Sequence, residues 1–125
     1  MSKTTNEKYS FAELAQFQII IEKKLKKAEA HLLDLEEQFL HSAELQESRG
    51  DWIDSATTSN DIDMLQLMAN RQRRYIIELK QALQRIQNKT YGVCIVTGKL
   101  IDKKRLMVVP TTTKCLITKI DDRQL

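Results

Sequence analysis

The sequence predicts a mainly α protein, a long antiparallel coiled-coil hairpin that carries a small C-terminal module. Two long polar segments each place apolar residues at alternating steps of three and four, the period that gathers side chains into one helical seam. A single proline and three glycines in 125 residues leave few points at which a helix must stop. A charged fraction of 30% with 6% aromatic residues suits solvated helices better than a thick globular core. A large enzyme pocket is not expected.

Residues 1–9 are polar and are expected to be flexible. Ser10 with Glu13 three residues later forms a capping-box pattern that starts the first helix. Leu14, Ile21, Leu25, Ala28, Leu32, Leu35 and Phe39 then form a seam, with Gln18 at the one polar position. No Pro or Gly interrupts before Gly50, so the helix should run from Phe11 to about Arg49, roughly 55 to 60 Å at ~1.5 Å per residue. His31 and His41 are ten residues apart and read as ordinary surface positions.

Gly50-Asp51-Trp52-Ile53-Asp54-Ser55-Ala56 is the hinge, within a tip spanning residues 50–58. Aspartate is common in such turns because its carboxylate bonds nearby amides. Trp52 is either a contact residue or a lid on the last heptad layer. Thr57 to Asn60 offer caps, and Asp61 and Asp63 suit a first helical turn. Ile62, Leu65, Ala69, Ile76, Leu79, Leu83 and Ile86, with Gln72 in the seam, form the returning arm. The hairpin then covers residues 10–90, pairing Leu45 near Ile62 and Leu25 near Leu83. Both seams are buried within one chain, which predicts a monomer. Phe11, Leu14 and Phe17 extend past the second arm and need another partner.

That partner should be the module at residues 91–125, where the helical period ends at Thr90-Tyr91-Gly92. Val93, Ile95 and Val96 read as strand, Thr97-Gly98-Lys99 as a turn, and Leu100, Ile101, Leu106, Val108, Val109, Leu116 and Ile117 as a small core. Pro110 ends any strand there. Residues 1–60 hold 7 basic and 11 acidic side chains and residues 61–125 hold 13 and 6, so acidic tip and basic base are expected at opposite ends. The basic half lacks interleaved aromatics, which argues against sequence-specific DNA binding. No apolar run nears the ~18 to 20 residues of a membrane span, and the start lacks a signal-peptide layout. A cytoplasmic protein is expected, with Cys94 and Cys115 as thiols, metal ligands or core residues rather than a structural disulfide.

Tyr91-Gly92-Val93-Cys94, followed by Gly98, Arg105-Leu106, Pro110 and Cys115, resembles the finger of the DnaK-suppressor (DksA/TraR) family of bacterial transcription regulators. The family's C-x2-C, seventeen residues, C-x2-C pattern falls on Cys94, Thr97, Cys115 and Thr118, so two of four zinc ligands are present and the finger is of the degenerate, cysteine-poor type. Counted back from Cys94 without a gap, the family's tip pattern of Asp, two residues, Asp, one residue, Ala falls on Asp51, Asp54 and Ala56. The resemblance implies a zinc-finger-like knuckle on a coiled coil that binds RNA polymerase and inserts its acidic tip through the secondary channel, modulating promoter complexes. Threonine hydroxyls do not replace thiolates, which argues against zinc, although Cys94 and Cys115 could still contribute to a metal site. The family's ppGpp-contacting positions fall on Glu78, Val109 and Lys119, where only the last is basic, which argues against alarmone synergy and for a protein without a cofactor. Two other readings stay open at this point: a coiled-coil adaptor with register set by Gln18 and Gln72, and a redox module in which Cys94 and Cys115 pair.

Overall fold

The computed structural model describes residues 8–49 and 55–114. Helix α1 spans Phe11–Arg49, α2 spans Ser55–Gln87 and α3 spans Lys103–Val108. The chain divides into two compact units, one containing residues 25–77 and the other drawing on residues up to 24 and from 78 onward. Among the described residues no helix is long and apolar enough to cross a membrane.

α1 begins where the capping box places it. The Ser10 N–H donates to Glu13 Oε1 at 3.0 Å and the Glu13 N–H to Ser10 Oγ at 3.2 Å, satisfying two amides that have no helical acceptor. α2 begins at Ser55, earlier than the caps at Thr57 to Asn60 suggest. Short polar side chains favour caps only mildly over helix interiors, and nothing in this run forbids helical backbone. α2 ends in a Schellman motif: the Lys89 N–H bonds the Ile86 carbonyl and the Thr90 N–H bonds the Arg85 carbonyl, at 3.0 and 2.9 Å. Lys89 takes the left-handed conformation that this cap requires, with φ 64°.

In the unit of residues 25–77, Ala28 and Leu35 of α1 and Ala69 and Ile76 of α2 are buried, all at expected seam positions. Arg73 and Glu36 flank them in an ion pair at 3.0 Å, and Arg73 also donates to Asn70. Leu33, Leu40, Met64 and Leu67 are exposed, as expected of a two-helix seam that covers only one stripe of each helix. Gln72 sits in the seam with a buried Oε1 that has no hydrogen-bond partner. Gln72→Leu is expected to raise the thermal unfolding midpoint by several degrees, because an unsatisfied buried acceptor costs about 1–3 kcal/mol. An unchanged or lower midpoint would show that the carbonyl is satisfied in solution. The other seam glutamine, Gln18, is exposed and donates to Glu22 at 3.2 Å.

In the second unit Leu14, Phe17 and Ile21 are buried together with Leu79, Ala82, Ile86, Tyr91, Ile101 and Leu106. Leu14 and Phe17 thus find the apolar partner that their overhang demands, whereas Phe11 is 83% exposed. The strand expected around Val93 is reduced to one antiparallel bridge between Val93 and Leu100. Val108 is exposed rather than core and Val109 is largely so, and Ile95 and Val96 are exposed as well. With α3 only six residues long, one side chain, Leu106, is buried from it. Leu116 and Ile117 lie outside the described residues.

Candidate functional site

The knuckle follows α2 directly. Gly92 has φ 81° and Gly98 φ 75°, left-handed values that suit glycine. Between them the Cys94 N–H donates to the Lys99 carbonyl at 2.8 Å and the Gly98 N–H to the Cys94 carbonyl at 2.9 Å. The Thr97 N–H approaches Cys94 Sγ at 3.5 Å. This turn holds the sulfur inward, and Cys94 is 1% exposed.

Thr97, at the second position of the finger pattern, is exposed and accepts the Lys99 N–H on Oγ1 at 3.3 Å. A structural zinc takes thiolate and imidazole donors. A neutral hydroxyl already engaged in closing its own turn is not one of them. The described half of the finger therefore does not fit a four-thiolate zinc site, although it keeps the turn such a site uses. Cys115 and Thr118 lie outside the described residues.

The knuckle is joined to the helical base by aromatic and charged side chains. The Tyr9 ring packs edge-on against Phe17 with centroids 5.4 Å apart, and Phe17 packs against Tyr91 at 5.3 Å. The Tyr9 hydroxyl donates to the Ile101 carbonyl, just before α3. The Tyr91 hydroxyl donates to the Pro110 carbonyl at 2.7 Å, just after it. Burial raises the pKa of both phenols; Glu13 and Asp102 add to the effect on Tyr9, while nearby Arg85 opposes it on Tyr91. Because the folded values are raised, the stability associated with the neutral phenols is present below pH 10 and is lost as pH rises through the folded values.

Glu13 also pairs with Lys103 at the start of α3. The hydrogen bond from Lys103, then that from the Ser10 amide, lowers the Glu13 pKa to about 2. Arg85 Nη2 reaches the Thr111 carbonyl at 3.4 Å, and Arg105 bonds the Lys114 carbonyl and Thr112 Oγ1 at 3.2 and 3.3 Å.

The tip residues Asp51 and Asp54 lie outside the described residues, as does Trp52. Ala56 falls in the first turn of α2. Of the positions matched to ppGpp contacts, Glu78 is exposed on α2 and Val109 caps α3; Lys119 lies outside the description. The structure brings Cys94 and Thr97 together. It also adds Tyr9 and Arg85, which sequence patterning passes over, and gives Arg105 of the finger pattern its partners at Thr112 and Lys114. Tyr9 carried a readable signal: it precedes the Ser10 cap while Leu14 follows at the fourth helical position, the spacing of a hydrophobic staple, and both are buried.

Residues 89–116 match the family profile of the prokaryotic dksA/traR C4-type zinc finger. The RNA polymerase-binding transcription factor DksA of Caulobacter vibrioides, in two strains, is 32% identical over 98 residues, covering 78% of this chain and 69% of its own length. An uncharacterized protein of Aquifex aeolicus strain VF5 is 32% identical over 98 residues, with 78% of this chain and 67% of that protein covered. The transcription factor DksA2 of Pseudomonas aeruginosa has the same fold, with a TM-score of 0.82 at 21% identity over 90% of this chain and 84% of that one.

Proposed function

The chain belongs to the DksA/TraR family, and from that premise we propose that it regulates transcription by binding RNA polymerase directly, without enzymatic activity of its own. The observation that carries the proposal is the 32% identity, over 78% of the chain, to a protein named as an RNA polymerase-binding transcription factor. The helical hairpin is the architecture such a role would use: its arms and basic knuckle, residues 10–90 and 91–125, would supply the contact surface. The acidic tip at residues 50–58, with Asp51, Asp54 and Ala56, would enter the secondary channel and act on promoter complexes through charge and hydrogen bonding. A single monomer would fill that role, in the cytoplasm and without sequence-specific DNA contacts.

The module would work without zinc, since Thr97 and Thr118 replace two thiolates, and with little dependence on ppGpp, since Glu78 and Val109 replace basic side chains. Co-purification with RNA polymerase from the native cell tests the proposal. Stoichiometric retention on core polymerase is expected. No binding of the wild-type protein at micromolar concentration would refute it and favour an adaptor role for the coiled coil.

A further inference from the structure

A C4 finger uses its metal to tie the first knuckle to the chain segment that returns past it. In this protein that returning segment is residues 110–114, and each of four successive carbonyl or hydroxyl groups along it is bonded from outside the segment. The Tyr91 hydroxyl donates to the Pro110 carbonyl at 2.7 Å. Arg85 Nη2 donates to the Thr111 carbonyl at 3.4 Å, and Arg105 Nη2 to Thr112 Oγ1 at 3.3 Å. The Ile95 N–H, one residue past Cys94, donates to the Thr113 carbonyl at 2.9 Å. Arg105 Nε adds a fifth bond, to the Lys114 carbonyl at 3.2 Å, which Thr112 Oγ1 also reaches at 3.1 Å.

We propose that Tyr91, Arg85 and Arg105 form a carbonyl clamp that docks the returning segment on the knuckle and so performs, with side-chain donors, the tethering that a metal performs in a four-thiolate finger. The parts are held in place before they act. Tyr91 is fully buried against Phe17, and its own N–H bonds the Arg85 carbonyl at 3.2 Å. Arg85 therefore does two things from one position: its carbonyl closes the end of α2 and its guanidinium, half-buried, reaches the return. Burial disfavours charge on Arg85 and lowers its pKa while Tyr91 opposes that effect, yet arginine stays protonated and keeps donating. Arg105 projects from α3 with a fork whose two nitrogens span the amide and hydroxyl acceptors at 114 and 112, a geometry that lysine cannot copy.

The clamp and a metal make different demands. A metal tether fails on chelation, whereas this one should ignore chelators and fail when a donor is removed. The reporter is the Ile95 amide, because its hydrogen bond exists only while Thr113 is docked. Amide hydrogen exchange is measured in the full chain for wild type with and without excess chelator, for Tyr91→Phe and for Arg105→Lys. Wild-type exchange at Ile95 is expected to be unchanged by chelator. Both variants are expected to speed Ile95 exchange roughly tenfold, the consequence of removing a side-chain donor that holds the returning segment, while Leu79 and Ala82 in the helical base keep wild-type protection. Chelator-driven acceleration in wild type, wild-type exchange at Ile95 in both variants, or acceleration that spreads equally through residues 79–86 would each overturn the clamp.

Discussion

Asp54→Asn is expected to leave folding and polymerase binding nearly intact while removing most of the effect on transcription. Asp54 is read from the sequence as a turn residue, and a lost cap or a surface substitution changes stability by no more than about 1 kcal/mol. Binding should survive because the arms and the basic knuckle would supply most of the contact area. A hydrogen bond to a charged group is worth about 1.5–3 kcal/mol, so loss of the carboxylate should shrink the change in promoter-complex lifetime roughly ten- to hundredfold. The measurement compares wild type and variant, each titrated until polymerase is saturated. Equal lifetimes with the two proteins, while wild type clearly acts, would refute the tip mechanism. Asp51→Asn should act in the same direction, and Ala56→Thr should impair activity by adding bulk near the tip.

Gly92→Ala should have the largest effect on the fold. A Cβ at Gly92 would lie 2.5 Å from Cδ2 and 2.6 Å from Cε2 of the Tyr9 ring, and 3.4 Å from Leu106 Cδ1. Tyr9 has little room to yield, since its ring packs on Phe17 and its hydroxyl bonds Ile101. The methyl would also sit on backbone with φ 81°, which costs about 1–2 kcal/mol for an L-residue before any clash. Overpacking adds about 1–3 kcal/mol, so a total of about 2–5 kcal/mol should fall on the unit containing the knuckle. That is a large share of an ordinary domain's stability of ~5–15 kcal/mol. Gly98→Ala is the internal control, because its φ is 75° but nothing lies within 4 Å of the added carbon. Its loss should be confined to backbone strain, about 1–2 kcal/mol. Denaturant melts of the two variants that coincide would show that Tyr9 moves aside freely and that the contact carries no weight.

What the sequence determined by itself is what rests on local period and local chemistry. The steps of three and four marked Ala28, Leu35, Ala69, Ile76 and Leu79 for burial, and all are buried. Ser10 and Glu13 located the start of α1 because a capping box is closed by residues three apart. The finger pattern on Cys94 and Gly98 gave the knuckle turn, and the overhang of Leu14 and Phe17 gave the need for a base. The tertiary structure alone decided which side chains bind knuckle to base. Tyr9 and Ile101 are 92 residues apart, and Tyr91 and Pro110 are 19 apart, separations at which no periodic pattern reports a contact. It also decided that Ile95, Val96 and Val108 stay outside while Ile101 and Leu106 go in. A β-branched run signals burial only if it forms a strand with two neighbours, and here the described residues of the module make a single bridge and a six-residue helix. In so small a module the side facing the helical base determines burial, and that side is fixed by packing against Phe17 and Tyr9 rather than by composition.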